Sequence, residues 1–184
     1  MRSLSRFLST LVRCFFCWRV RTATKDELAH AEVVLGQSFG LRSHDPGPSN
    51  AELARIAHAL SRQHQTPLIL QWEISDALVH PTTCAGVVRE HRIRGRYLDT
   101  YEVLSQSAIL CRSRGWKRAI VLAHPDHAWR VVRTAERLGF TAVAADTGTV
   151  PYDPKSIQPW TRRRASFIPR ELVARLLYLV RGWI

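Results

Sequence analysis

Four short apolar runs punctuate the chain, and between them apolar residues recur at helical spacing. AEVVLG (31–36), PLILQW (67–72), RAIVLA (118–123) and TAVAA (141–145) read as buried strands. After the first, Ser49 and Glu52 have the spacing of a capping box, and Leu53, Ile56, Ala57 and Leu60 line one helical face. A second helix is predicted from Asp99 as N-cap with Glu102 three residues on, its face formed by Tyr101, Leu104, Ala108 and Cys111. A third presents Ala128, Val131, Val132, Ala135 and Leu138 and stops at Gly139. RELVARLLYLVRGW (170–183) closes the chain as an amphipathic helix. The region 80–92 is expected to hold a short helix, and RGRYLD (94–99) a short strand leading into the second helix.

This alternation predicts an α/β fold: a Rossmann-like three-layer sandwich around a mostly parallel sheet. Such sheets bind ligands beyond the carboxyl ends of their strands. Three segments should converge there: Gly36, Gln37 and Ser38 up to Gly40; Gln71 to Glu73; and His124 through Arg130. His127 and Arg130 are three apart, hence neighbours near a helix N-terminus, where free N–H groups and the helix dipole favour an anion. The same residues also admit a plainer reading, in which Asp126 caps the helix and Arg130 pairs with a surface acid. His124 and His127 with Asp126 between them offer two metal ligands but no identifiable third, so no metal site is expected. GxSxG is absent, and GQSFG (36–40) matches neither GxGxxG nor GxxxxGK[ST]. Residues 146–166 form a segment too long to be a mere connector and are expected to lie over the strand ends as a lid.

Charge adds a partner class. The 184 residues carry 27 Lys+Arg against 15 Asp+Glu, a net +12. Only Lys25, Lys117 and Lys155 are lysines, and guanidinium suits phosphate and carboxylate because it donates two parallel hydrogen bonds. GC-rich coding would produce the same bias. Residues 1–24 hold Arg2, Arg6, Arg13, Arg19 and Arg21 among Leu4, Phe7, Leu8, Leu11, Phe15 and Trp18 at helical spacing. That segment is a basic amphipathic helix suited to an anionic membrane surface, to packing on the domain, or to an organellar presequence. Residues 25–184 read as one domain. The chain is placed in the cytoplasm or at a membrane surface. Cys14 and Cys17 lack partners for a zinc site. Trp160 with TRRRA (161–165) is a weak signal for nucleic acid, without any recognised binding motif beside it.

In their order these motifs resemble the YdcF/SanA/ElyC-like family of bacterial envelope-associated proteins. The resemblance runs from about Ala31 to Tyr178. It is carried by AEVVLG, PSNAELARIAHAL with Arg55, DTYEVLSQSAIL with Thr100 and Glu102, IVLAHPDHAWRVVRTAERLGF with His127 and Arg130, and the Arg170–Glu171 pair. It implies a pocket in which His127 and Glu102 act as acid/base groups and Arg130, Thr100, Arg55, Gly36, Gln37, Ser38, His124 and Glu171 hold the ligand. It also brings in S-adenosylmethionine as a candidate cofactor. Three turns depart from the family pattern: GQSFG is poorer in glycine, Gln71-Trp72-Glu73 replaces a Ser-Gly turn, and Ala123-His124 replaces Thr-Ser. The expected function is binding of a small anionic or nucleotide-like ligand in envelope metabolism, with phosphoester hydrolysis or group transfer if the chain is an enzyme. The competing expectation is a non-catalytic adaptor at a membrane surface.

Overall fold

The computed structural model describes residues 2–79 and 84–184, the side chains of residues 2–7 excepted. Five strands form one parallel sheet in the order β3-β2-β1-β4-β5. They are β1 (Val33–Gly36), β2 (Leu68–Gln71), β3 (Cys84–Val88), β4 (Arg118–Leu122) and β5 (Thr141–Ala144). β1 pairs with β2 and β4 on either side, so the strand order reverses at the β1/β4 junction. That is the topological switch point of a Rossmann-like sheet.

Strand side chains alternate between two apolar layers, because successive Cβ atoms point to opposite faces. Val33, Leu35, Ile69 and Val121 pack with Leu104 and Ala108 of α5 (Thr100–Arg112) and with Ala128, Val131 and Ala135 of α6 (Pro125–Arg137). Val34, Leu68, Leu70 and Leu122 face Leu53, Ile56 and Ala57 of α3 (Gly47–His64) and Phe167 of α7 (Arg164–Val180). Each fully buried Leu or Ile in these layers contributes roughly 1.5–3 kcal/mol, enough for either layer to hold its helices on the sheet. Gly139 follows α6 at φ +98°, the left-handed conformation that ends helices at glycine.

Several local expectations change. Residues 84–88, expected within a helix, are the edge strand β3, while 80–83 lie outside the described residues. Residues 94–99 form no strand. α3 starts two residues before Ser49, whose hydroxyl donates to the Pro151 carbonyl instead of capping the helix. Asp99 does cap α5, accepting from the Glu102 N–H at 3.0 Å. Two further short helices, α2 (Lys25–Ala29) and α4 (Trp72–Ser75), follow the N-terminal segment and β2. Residues 146–166 are pinned down. Asp153 receives a bidentate Arg42 at 2.6 and 2.8 Å, Ser156 bonds Leu41, and Asp153, Ser156 and Thr161 are buried. The segment is therefore a fixed wall.

The N-terminal helix α1 (Arg2–Phe16) lies on the domain. Its Cys14 is fully buried with Trp129 of α6 and Leu179 of α7. All four cysteines are free. Thr22 bridges to Ala144, extending the sheet edge beside β5. Among the described residues no helix is long and apolar enough to cross a membrane.

Candidate functional site

The loops after β1 and β4 diverge at the switch point, and a cavity of about 340 Å³ opens near the strand ends. Gln37 and Ser38 reach it from the end of β1, and Gln71, Trp72 and Glu73 from the end of β2. Thr100 enters from the first residue of α5, His127 and Arg130 from the first turns of α6, and Glu171 from α7. Trp160 and Thr161 belong to the fixed wall, and Tyr97 and Tyr178 add aromatic surface.

One side of the cavity is an ionic cluster. Arg130 places Nε 3.1 Å from both Glu171 oxygens and Nη2 2.8 Å from Oε2. Its Nη1 donates to Thr100 Oγ1 at 3.0 Å, and Nη2 lies 3.2 Å from His127 Nδ1. His127 Nε2 is 3.2 Å from the same Thr100 hydroxyl, and its Nδ1 is 3.4 Å from Glu171 Oε2. The imidazole thus stands between a hydroxyl and a carboxylate. One neutral tautomer donates from Nδ1 to Glu171 and accepts the Thr100 proton at Nε2. The other accepts from Arg130 at Nδ1 and donates from Nε2.

Glu171 also accepts from Arg175 Nε at 3.1 Å. Two guanidiniums on one carboxylate leave the cluster a net +1, with His127 neutral. Burial opposes ionisation of Glu171, but Arg130 overrides it and holds the carboxyl down to about 2. Burial, then the Arg130 charge, pushes the His127 pKa below its ordinary value, so the ring is neutral near pH 7. Three of the five Arg130 N–H groups are used in either tautomer, one each at Nε, Nη1 and Nη2, and the second Nη2 hydrogen is used as well when His127 Nδ1 is the acceptor. The second Nη1 hydrogen remains for another acceptor.

Two other lining residues carry unsatisfied polar atoms. Gln37 and Glu73 are 2% and 8% exposed, and Gln37 Nε2 and Glu73 Oε2 have no hydrogen-bond partner. Glu73 Oε1 receives a long contact, 3.4 Å from Gln71 Nε2, and its own backbone N–H and the Ser38 side chain weakly offset the burial of the carboxyl. Burial therefore pushes the Glu73 carboxyl up to about 7, so that it titrates in the neutral range. Buried polar atoms without partners are uncommon in folded proteins, and here two of them belong to residues lining one cavity. Arg170 and Arg181 add positive charge to the lining, Arg170 lying 3.8 Å above the Trp160 ring.

Of the ten residues assigned from sequence, the structure brings Gln37, Ser38, Thr100, His127, Arg130 and Glu171 to the cavity lining. The other four sit elsewhere. Glu102 is held by Arg92 through Nε at 2.8 Å and Nη2 at 3.0 Å, which keeps its carboxyl down at about 2; a carboxylate so engaged is no general base for the cavity. Arg55 pairs with Glu52 on the solvent side of α3. His124, not Asp126, is the N-cap of α6: its Nδ1 accepts from the Asp126 N–H at 3.3 Å. The His124 ring stacks on Phe39 at 3.9 Å, and burial lowers its pKa to about 4. Asp126 instead accepts from Tyr152 and Arg164. Gly36 lacks a side chain for packing reasons, since a Cβ there would come within 2.5 Å of Leu70 Cδ2.

Sequence reasoning missed Arg175, whose partners come from α1 and α7, and the titrating role of Glu73. Topology placed Glu73 at the strand ends, but nothing in the spacing showed that its carboxyl would be buried without a cationic partner. Among the described residues no group of three or more His, Cys, Asp or Glu could hold a metal ion. No family model, curated protein or solved structure matches the chain.

Proposed function

We propose that the protein binds a small anionic ligand, of the size of a phosphorylated metabolite or nucleotide, in the strand-end cavity. The observation that carries this reading is the buried Arg130 cluster: net positive, with a guanidinium N–H uncommitted, on a cavity lined also by Gln37. A buried net charge is costly unless it is compensated, and an anion supplies that compensation. The Trp72, Tyr97 and Trp160 rings give the same ligand an apolar or planar part to lie against.

His127 is the residue placed to move a proton. A neutral imidazole between Thr100 and the Glu171 carboxylate has the arrangement of a general base oriented by an acid, which suits hydrolysis or group transfer at a bound phosphoester. Membership of the YdcF/SanA/ElyC-like family belongs to the same proposal, supported by the Rossmann-like sheet and by the position of His127 and Arg130 beyond β4. Glu102 and Arg55 are not part of it.

The test is a thermal-shift and calorimetric panel of inorganic phosphate, nucleoside mono- and diphosphates, sugar nucleotides and S-adenosylmethionine. It compares the wild type with Arg130→Gln, each first shown to be folded by circular dichroism. A ligand at a hundred times its Kd stabilises the native state by about 2.7 kcal/mol, roughly 5–10 °C in a chain of this length. The expected result is a saturable rise in the wild type that Arg130→Gln loses. No rise with any anion, or equal rises in both proteins, refutes the reading.

A further inference from the structure

Among the described residues, α1 turns a row of large apolar side chains away from the domain. Leu8, Val12, Phe15 and Phe16 lie 51%, 57%, 42% and 80% exposed, and their spacing of four, three and one places them on one stripe of the helix. This stripe is not a core face waiting for the domain, because the domain already holds a different one. Cys14 and Leu11 pack on Trp129 and Leu179. Arg175, fully buried, donates to the Cys14 and Cys17 carbonyls at 3.2 and 2.8 Å and lies 4.1 Å from the Trp18 ring. The helix is therefore anchored through one side while four large apolar side chains face outward on another.

The charges of residues 1–25 are of one sign, and the acids that approach them, Glu27 and Glu136, are paired with Arg21 and Arg133. No Asp or Glu precedes Asp26, whereas the same stretch holds five arginines and Lys25. Beyond the helix end, a groove of about 310 Å³ runs against α6 and is lined by Arg13, Arg19, Arg21 and Arg133. Arg21 is occupied by Glu27 and Arg133 by Glu136. Arg13 and Arg19 are exposed and form no ion pair among the described residues. A second copy of the chain would set these arginines against an identical basic set, so self-association is electrostatically opposed. An anionic bilayer satisfies both features together: its acyl boundary takes the apolar stripe and its phosphates take the free guanidiniums.

We propose that α1, while remaining docked on the domain, seats the protein on an anionic lipid bilayer through Leu8, Val12, Phe15 and Phe16, with Arg13 and Arg19 reading the headgroup phosphates. Because Arg175 ties the end of α1 to Glu171, the bilayer then holds the strand-end cavity in a fixed orientation. The inference does not depend on what that cavity binds.

The experiment is co-sedimentation of the full chain with vesicles of phosphatidylcholine alone and of phosphatidylcholine with phosphatidylglycerol, at low and high salt. Three proteins are compared: wild type, Phe16→Asp, and Arg13→Gln/Arg19→Gln. All the altered side chains are exposed, so melting temperatures should match; gel filtration gives the oligomeric state. The wild type should pellet with the anionic vesicles, less so at high salt, and remain soluble with phosphatidylcholine alone. Phe16→Asp should lower the partition coefficient about tenfold or more, and the double variant should do so only on anionic vesicles. Wild-type protein that ignores both vesicles, or a Phe16→Asp variant that binds like wild type, overturns the proposal. So does a wild-type dimer that Phe16→Asp dissociates, which would assign the stripe to a second copy.

Discussion

Glu73 offers the sharpest quantitative test of the site, because its chemistry follows from where it is buried. The side chain is 8% exposed, Oε2 has no partner, and burial raises the carboxyl from an ordinary 4.5 to about 7. Between those values the folded protein keeps a proton that the unfolded chain has released. Its contribution to stability is thus fully present below about 4.5 and is lost as pH rises through about 7. A gap of about 2.5 pKa units at 1.36 kcal/mol each amounts to roughly 3 kcal/mol. Glu73→Gln removes the titration while conserving shape and the acceptor that meets Gln71. Other carboxylates titrate alike in both proteins and cancel from the difference. The variant should therefore match the wild type below about pH 4 and exceed it by about 3 kcal/mol at pH 8, roughly 6–12 °C in Tm for a chain of this size. Urea unfolding at half-unit intervals across that range measures the difference directly. A difference that stays flat with pH would refute a buried, proton-holding Glu73. A difference of opposite slope would mean that the carboxylate has a cationic partner in solution.

Other perturbations separate the cluster from its surroundings. Glu171→Ala leaves two buried guanidiniums facing each other and should destabilise the fold by about 3–5 kcal/mol in chemical denaturation. Glu102→Gln should leave anion binding unchanged within twofold by calorimetry, since that carboxylate serves Arg92; a loss of binding would return it to the site. Anion binding by the wild type should weaken as pH rises through about 7 and should take up a proton, detected by calorimetry in buffers of different ionisation enthalpy, because a charged Glu73 repels the ligand. Gly36→Ala should cost roughly 1–3 kcal/mol through overpacking against Leu70, whether or not ligand is present.

The parallel sheet was legible because its strands are continuous apolar runs with polar ends, and both properties are local. The convergence of Gln37, Gln71–Glu73 and His127 followed from topology alone. β3 was not legible: CAGVV is short, lies at the sheet edge and carries Gly86, whose missing Cβ makes room for Leu110, so neither periodicity nor composition separates it from a helix. The individual site residues show the same limit more sharply. Asp99–Glu102 has capping-box spacing, and the cap forms, but the Glu102 side chain is taken by Arg92. Pro125 stands at the first turn of α6, which moves the cap to His124 and frees Asp126 for Tyr152.

In each of these cases spacing identified the element, and a partner outside it decided what the side chain does. The cluster around Arg130 is the extreme instance, being assembled from contacts 27, 30 and 41 residues apart. Its members were nominated by their place beyond β4, by the three-residue spacing of His127 and Arg130 and by resemblance, while no local rule joins them to Thr100 and Glu171. The arrangement also explains why the anion hypothesis and the structural one are not rivals here. A lone Arg130 satisfied by Glu171 would be a neutral ion pair with no excess charge to offer a ligand. The second guanidinium, Arg175, changes this: by sharing Glu171 it leaves a buried positive charge that the fold does not balance among the residues of the cluster. Arg130 is the guanidinium of the cluster that lines the cavity, and a negative ligand placed there gains from that excess.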